Sequence, residues 1–321
     1  MENKKSGGDI VKRHVSRFVF RIGIFMLVGF LSARVVCAQE TESNESGQPL
    51  STPAQDPKER EGASDFQKML LEELARELSN PVSYMDSLTN EFQYRKYDGD
   101  LPGAADQESW TYLFQPKLTS QRSNGYNLIF RPAIPVILDQ PAFTAATSGF
   151  ETNSGLGDIS FDLVYGRTEK SGFLWSVGLF GVLPTATDDA LGQDQWQVGP
   201  DIVLGLMRKW GVFAALCNHV WDVAGNDEVK TSLTSVQVFY YFSLGGGWEI
   251  GAAPVITYDW EAGKDNRLTL PVGLGIGKTT KIGKLPLKMA LEVDYSLVRP
   301  DSFGEKWQVL FSITPVITRL L

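Results

Sequence analysis

From about residue 86 to the C-terminus, apolar positions recur at every second residue, the period of a strand with two unlike faces. In the segment 248–261, Trp248, Ile250, Ala252, Pro254, Ile256, Tyr258 and Trp260 share one face. Glu249, Gly251, Ala253, Val255, Thr257, Asp259 and Glu261 share the other. Aromatic residues close both ends of the apolar face. The same alternation sets Leu287, Met289, Leu291, Val293, Tyr295 and Leu297 against Lys288, Ala290, Glu292, Asp294 and Ser296. It also sets Trp196, Val198, Pro200, Ile202, Leu204 and Leu206 against Gln197, Gly199, Asp201, Val203 and Gly205. A fourth segment opposes Tyr126, Leu128, Phe130, Pro132, Ile134 and Val136 to Asn127, Ile129, Arg131 and Ala133. The pattern predicts an all-β fold of transmembrane strands, lipid outside and lumen inside. A soluble sandwich would bury the same apolar faces in its core, so alternation alone admits both.

Connection lengths separate the two. Twelve strands are expected, centred near residues 92, 114, 131, 161, 179, 202, 217, 239, 255, 272, 291 and 311. The even-numbered connections are short: Ser120–Gly125, Arg167–Gly172, Arg208–Gly211, Gly245–Gly247 and Thr279–Leu285. Most odd-numbered ones are longer: Asp98–Glu108, Leu138–Ser154, Thr185–Gln195 and Ala224–Leu233. Short turns alternating with long outer loops organise an antiparallel outer-membrane barrel, and a Greek-key sandwich has no reason to alternate so. Charge sorts the same way. The short turns hold Arg122, Arg167, Lys170, Arg208, Lys209, Lys278, Lys281 and Lys284 against Glu169 alone. The other end carries Asp98, Asp100, Asp106, Glu108, Asp188, Asp189, Asp194, Asp227, Glu228, Asp259, Glu261 and Asp265.

Ahead of the barrel (81–321), residues 1–38 read as a signal peptide. Lys4, Lys5, Lys12, Arg13, Arg17 and Arg21 precede the apolar stretch Ile22–Ala33, and Val36-Cys37-Ala38 places cleavage after Ala38. At 12 residues that stretch is too short to span as a helix, which takes roughly 20. Residues 39–63 are polar and Pro/Gly-rich, a composition expected of a disordered tether. In 64–80, Ser64 and Gln67 resemble a capping box. Phe66, Leu70, Leu74 and Leu78 then predict an amphipathic helix over Asp65–Ser79, ended by Asn80-Pro81.

Composition sharpens this picture. The chain has 30 basic and 38 acidic residues, net -8. Without residues 1–38 it holds 23 basic and 36 acidic groups, net -13, with Cys217 and His219 as the only Cys and His. Such a balance excludes a nucleic-acid partner. One thiol and one histidine exclude a disulfide scaffold or a Cys/His zinc site, so no cofactor and no metal are expected.

Several strings occur in order: Asn127-Leu-Ile-Phe-Arg131-Pro132, Gly155-Leu-Gly157-Asp158, Pro184-Thr-Ala-Thr-Asp188-Asp189, Trp221-Asp-Val-Ala-Gly225 and Gly246-Gly-Trp248. Asp265-Asn-Arg267, Pro271-Val-Gly-Leu-Gly-Ile-Gly-Lys278 and Arg299-Pro-Asp301 follow. Together, from about Asn80 to Pro315, they resemble the bacterial outer-membrane proteins grouped as "MetA-pathway of phenol degradation". The resemblance implies an outer-membrane barrel that takes up hydrophobic or aromatic compounds. One departure is that the chain runs past Phe311 and Ile313 to Leu321, where outer-membrane chains commonly end on an aromatic residue.

Candidate chemistry is sparse. Gly273-Leu-Gly-Ile-Gly277-Lys278-Thr279 looks like a phosphate loop, but the first glycine of that motif would fall on Val272. The three glycines are better explained as lumen-facing. A Ser-His-Asp hydrolase would need His219, whose outward neighbours on the next strand are expected to be Val236, Val238 and Tyr240, with Thr234 a poor alternative. Glu292 and Asp294 share a face at a spacing that suits a carboxylate pair, yet lumen acids more often pair with bases such as Arg131, Lys117, Arg267 and Lys288. The chain is therefore expected not to be an enzyme.

The expectation is a porin-like channel of about 12 strands, with Arg131, Asp201, Asp259, Arg267, Glu292 and Asp294 lining or gating its lumen. Trp110, Tyr126, Trp175, Trp196, Trp221, Trp248 and Trp260 form its interfacial girdles. Outer-membrane lipid, the barrel-assembly machinery, periplasmic chaperones and a small hydrophobic or aromatic solute are the expected partners, in a Gram-negative-type envelope. The helix is expected to plug part of the periplasmic, short-turn half of the lumen. The alternatives are a closed structural or adhesive surface barrel and a secreted β-sandwich binding protein.

Overall fold

The computed structural model describes residues 57–283 and 285–317. The expected signal peptide, the expected tether up to residue 56 and the last four residues, Thr318–Leu321, lie outside the described residues. Fourteen strands, β1 (Asp86–Asp98) to β14 (Gly304–Ile317), form one antiparallel sheet. They make twelve staves, because β4 (Gly149–Leu156) with β5 (Ile159–Thr168), and β10 (Trp248–Ala252) with β11 (Val255–Asp259), are single staves broken once. β1 pairs with β2 (Glu108–Gln121) on one side and with β14 on the other. The chain's first and last strands thus close the barrel, and closure removes the edges an open sheet would expose.

Exposure follows the alternation. Leu204 is 53% exposed and its neighbour Val203 2%; Leu274, facing outward on β12 (Leu268–Ile282), is 60% exposed. A soluble domain would bury such residues, so this outward apolar wall belongs against lipid. Ile129, Val164, Leu174, Val203, Val212, Ala214 and Leu216 form one apolar cluster inside the barrel's short-turn half. Val82, from the segment ahead of β1, completes that cluster, and burying such a side chain stabilises by roughly 1.5–3 kcal/mol.

Three boundaries differ from the sequence expectation. Helix α1 spans Pro57–Ser79, so it starts before Asp65 and takes in the end of the expected tether. Pro57 is suited to a first helical turn because its missing N–H would have no partner there. The expected loop Leu138–Ser154 is mostly a hairpin of β3 (Asn127–Thr144) and β4. Ring contacts hold it: Phe143 on Phe150 (5.2 Å), Phe150 on Phe303 (4.8 Å) and Phe303 on Tyr97 (4.6 Å). The hairpin therefore leans on the loop between β13 (Leu285–Val298) and β14. Third, the long strand expected over 248–261 breaks at Ala253-Pro254. Proline lacks the ladder donor, and side chains take over the freed groups: Glu292 Oε1 accepts from Ala253 N–H (2.8 Å) and Gln237 Nε2 donates to Ala253 O (3.1 Å).

Four of the ordered strings meet in pairs at the long-loop end, Gly155–Asp158 with Pro184–Asp189 and Asp265–Arg267 with Arg299–Asp301. Asp158, at the break between β4 and β5, accepts from the backbone N–H groups of Thr185, Ala186 and Gln193 (2.9–3.0 Å) and so anchors the loop after β6 (Phe173–Leu183). Asn266 Oδ1 accepts from Ser302 N–H and Oγ–H, and Asp98 pairs with Arg299 (2.7 Å) and Lys306 (2.9 Å). Three loops are stitched together around the mouth.

Candidate functional site

The barrel encloses a cavity of about 800 Å³. Its floor is Leu78, Ser79, Asn80 and Pro81, where α1 ends and turns into β1. The apolar helical face is used unevenly: Phe66 is 61% exposed below the barrel, whereas Leu74 is buried and Leu78 reaches the cavity. Outside, Glu72 Oε1 accepts from Gly246 N–H (3.0 Å) in the turn after β9 (Ser232–Gly245).

At the floor, the Ser79 hydroxyl donates to the Glu249 carboxylate (2.9 and 3.0 Å to its two oxygens) and accepts from Lys288 Nζ (2.5 Å). Lys288 also pairs with Glu249 at 2.8 Å and lies 4.5 Å above the Tyr241 ring. All three polar groups are buried. A buried ion pair repays its desolvation only when its remaining hydrogen-bond capacity is met, and Ser79 meets part of it. Asn80 Nδ2 donates to Thr168 Oγ1 (2.9 Å), while its Oδ1 accepts from Val82 N–H (2.9 Å). Asn127 Nδ2 donates to Val82 O (3.0 Å).

Above the floor the walls are charged. Arg131 Nε donates to Asp162 Oδ2 at 2.7 Å on neighbouring strands β3 and β5, and Lys117 lines the cavity from β2. Glu91, Glu292, Asp294 and Glu305 line it from β1, β13 and β14. Arg95 pairs with Glu305 (2.8 Å) and donates to Gln93 (2.5 Å), which in turn donates to Glu91 (2.5 Å).

The six expected lumen residues are therefore dispersed. Arg131, Glu292 and Asp294 line the cavity. Asp201 on β7 (Gln195–Arg208) is fully buried, within electrostatic reach of Arg131 and Asp162. Asp259 caps the loop after β11 by accepting from Glu261 and Ala262 N–H, and it lines a smaller outer pocket. Arg267 braces that same loop through Ala262 O (2.8 Å). Glu91, Arg95 and Glu305 escaped the sequence reading. Glu91, Gln93 and Arg95 do alternate, but β1 is too weakly patterned for its inward face to be singled out.

Aromatic residues gather at both ends of the outer wall. Tyr126, Tyr165, Trp175, Trp210 and Trp248 stand at the short-turn end, with Arg167 over Tyr126 (4.5 Å) and Lys278 over Trp248 (4.8 Å). Trp110, Trp196, Trp221, Trp260 and Trp307 stand at the long-loop end. Trp210 and Trp307 join the seven residues expected.

His219 lies on the outer wall between two hydroxyls. Its Nδ1 is 2.7 Å from Thr234 Oγ1, and its Nε2 is 3.5 Å from Ser232 Oγ. Ser232 is thus a hydroxyl neighbour that strand counting from Val236 and Val238 had passed over. Trp260 Nε1 donates to Thr234 Oγ1 as well (2.9 Å).

No protein-family model matches the chain, and no curated protein matches it. Among solved structures it is similar to a COG4313 outer membrane channel from Pseudomonas putida F1. The TM-score is 0.57 at 13% identity, covering 74% of this chain and 99% of that one. That likeness is one of fold: a closed outer-membrane-type barrel. Weaker likenesses are to a NanC porin (TM-score 0.45, 9% identity, 72% of this chain and 100% of that one) and to outer membrane phospholipase A from Escherichia coli (0.35, 12%, 74% and 99%). The phospholipase corrects one expectation. Barrels similar to this chain include an enzyme, so scarcity of histidine does not make this chain a non-enzyme, and that exclusion is withdrawn.

Proposed function

We propose that this chain is an outer-membrane channel that admits small neutral or aromatic solutes through a charged, partly closed lumen. The observation that carries the reading is the cavity of about 800 Å³ inside a closed barrel, floored by Leu78–Pro81. Eight-stranded barrels are filled by side chains and much larger ones leave open water channels, so twelve staves suit an intermediate bore. Leu113, Phe239, Tyr241 and Leu310 among the cavity's polar groups supply apolar contact for an aromatic body. The exposed apolar wall, with aromatic residues at both ends, supports placement in the outer membrane after export. The resemblance to the phenol-degradation barrel family supports the solute class.

Liposome swelling with neutral sugars and phenols of graded size tests the function. The full chain is expected to admit the smallest solutes, and a chain lacking residues 64–80 to admit larger ones with higher single-channel conductance. Absence of swelling by both chains would favour the closed structural barrel instead. Detergent-dependent, heat-modifiable migration is the first check on the barrel itself. Recovery in a salt wash without detergent would remove the membrane reading.

A further inference from the structure

We infer that the mouth of the barrel holds a binding site for an uncharged, ring-sized solute that carries a hydroxyl group. The site is the smaller outer pocket, with Gln193 and Gln197 as its polar edge. It deepens the channel reading by placing selection ahead of the main cavity, and rests on that reading only for where the solute goes next.

The pocket holds about 400 Å³ and is walled by Pro135, Ile137, Val182, Leu191, Val229 and Leu233. Strands supply Pro135, Ile137, Val182 and Leu233. The loop after β6 supplies Leu191, and the loop between β8 (Gly211–Gly225) and β9 supplies Val229. Pro135, Ile137 and Asp158 also line the main cavity, so the two chambers adjoin. Gly157 lies at that junction: a Cβ there would come within 3.0 Å of Ile137 Cδ1 and 3.1 Å of Pro135 Cγ, and would crowd it.

A third glutamine fixes the polar edge. Gln195, fully buried, donates through Nε2 to the carbonyl oxygens of Asn226 (2.8 Å) and Val229, and its Oε1 accepts from Thr231 Oγ1 (2.7 Å). These bonds pin the β8–β9 loop to β7. Gln197 Nε2 donates to Gln193 Oε1 (2.6 Å), which shares the Thr231 hydroxyl at 3.0 Å. Both Gln193 and Gln197 line the pocket, and among the described residues Gln193 Nε2 and Gln197 Oε1 make no hydrogen bond. Turning both amides over exchanges their roles and leaves the same inventory, one amide N–H group and one carbonyl oxygen.

A hydroxyl group both donates and accepts, so it can meet both atoms. A carboxylate only accepts and an ammonium only donates, and each leaves one amide group without a partner when the solute excludes water. A carboxylate also meets no free base here. Asp158 and Asp259 line the pocket, and its one base, Lys230, pairs with Asp222 (3.2 Å). A plain hydrocarbon fills the apolar walls but satisfies neither amide. The six apolar residues suit a single substituted ring, and about 400 Å³ lies at the small end of ligand pockets.

Photolabelling of the full chain in detergent micelles tests the site, with a trifluoromethyl-diazirine benzyl alcohol and the corresponding benzoate as probes. Mass spectrometry is expected to place the alcohol's label in the pocket segments 182–197 and 229–233. That labelling should exceed the benzoate's about tenfold, because the carboxylate exchanges a hydrogen-bonded contact for a repulsive one. Gln193→Leu and Gln197→Leu should each cut it several-fold, and excess unlabelled benzyl alcohol should compete it away. Val229→Trp, at a half-exposed loop position, fills the pocket and provides the test if the Gln197 variant fails to show heat-modifiable folding. Equal labelling by the two probes, labels confined to the lipid-facing wall, or undiminished labelling of the folded variants overturns the site. A protein labelled in the pocket that passes no solute into liposomes loses the channel reading and keeps the site. One that passes solutes with no label there keeps the channel and loses the site.

Discussion

Ser79, the last residue of α1, accepts a hydrogen bond from Lys288 of β13 across 209 positions of chain. Through that bond the segment ahead of the barrel becomes part of the lumen floor. Ser79→Ala removes the hydroxyl that serves both Lys288 and Glu249, and should cost about 1–3 kcal/mol. It should also raise single-channel conductance in planar bilayers. Lys288→Met leaves the buried Glu249 charge unpaired and should cost more, about 3–5 kcal/mol. Unfolding in denaturant measures both, and equal stability of the two variants would contradict the buried pair.

Glu77 immediately precedes the floor segment Leu78–Pro81. Burial pushes its carboxyl above the ordinary glutamate range, partly opposed by Ser83, Lys117 and Asn80. A raised carboxyl stabilises the docked segment fully below the unfolded glutamate pKa. That contribution is lost as pH rises through the folded value. Conductance should therefore increase as pH rises from the unfolded glutamate range through that value, and Glu77→Gln should flatten the dependence. A pH-independent wild type would refute the link.

Gly247, in the turn between β9 and β10, has φ 82°, and a Cβ there would meet Thr279 O at 2.5 Å and Leu71 at 3.4 Å. Gly247→Ala forces a side chain into the left-handed region, at about 1–2 kcal/mol, and presses on α1. Earlier heat modification on a gel, together with faster proteolysis of α1, is the expected result.

Arg131 and Asp201 should respond in opposite directions. Arg131→Met strips the counter-charge from Asp162 and Asp201 and should lower the unfolding temperature. Asp201→Asn removes a fully buried acid beside Asp162 and leaves one acid for one base. It should raise the unfolding temperature.

Leu274 tests the membrane directly. In water, a charge at a site 60% exposed would change stability by no more than about 0.5 kcal/mol. Facing lipid near the middle of β12, Leu274→Arg should cost about 2–4 kcal/mol. Reversible folding into lipid vesicles distinguishes the two values.

Much of the barrel was legible in the sequence because a two-residue period sends every other side chain to the same face. Leu204 and Val203, or Leu274 and Gly273, differ by one position and land on opposite sides of the wall. The turn lengths, and with them the stave count, could also be read, since turns are local. The helix end at Asn80-Pro81 was visible for the same reason, but its start at Pro57 was not, because no apolar repeat marks residues 57–64.

The site was less legible. Arg131, Glu292 and Asp294 could be found because strand parity points them inward. Parity says nothing about depth, which is why Asp201 ended in the wall and Asp259 and Arg267 at the two ends of the loop after β11. Ser232 beside His219, and Glu91 two strands from Glu292, depend on the stagger between strands that lie far apart in the chain. The sequence alone determined the alternation, the turns and the charge sorting. Tertiary structure decided the seam of β1 with β14, the break at Ala253-Pro254 and the floor at Ser79, Glu249 and Lys288. These are long-range contacts, set by closure and register, and no local pattern encodes them.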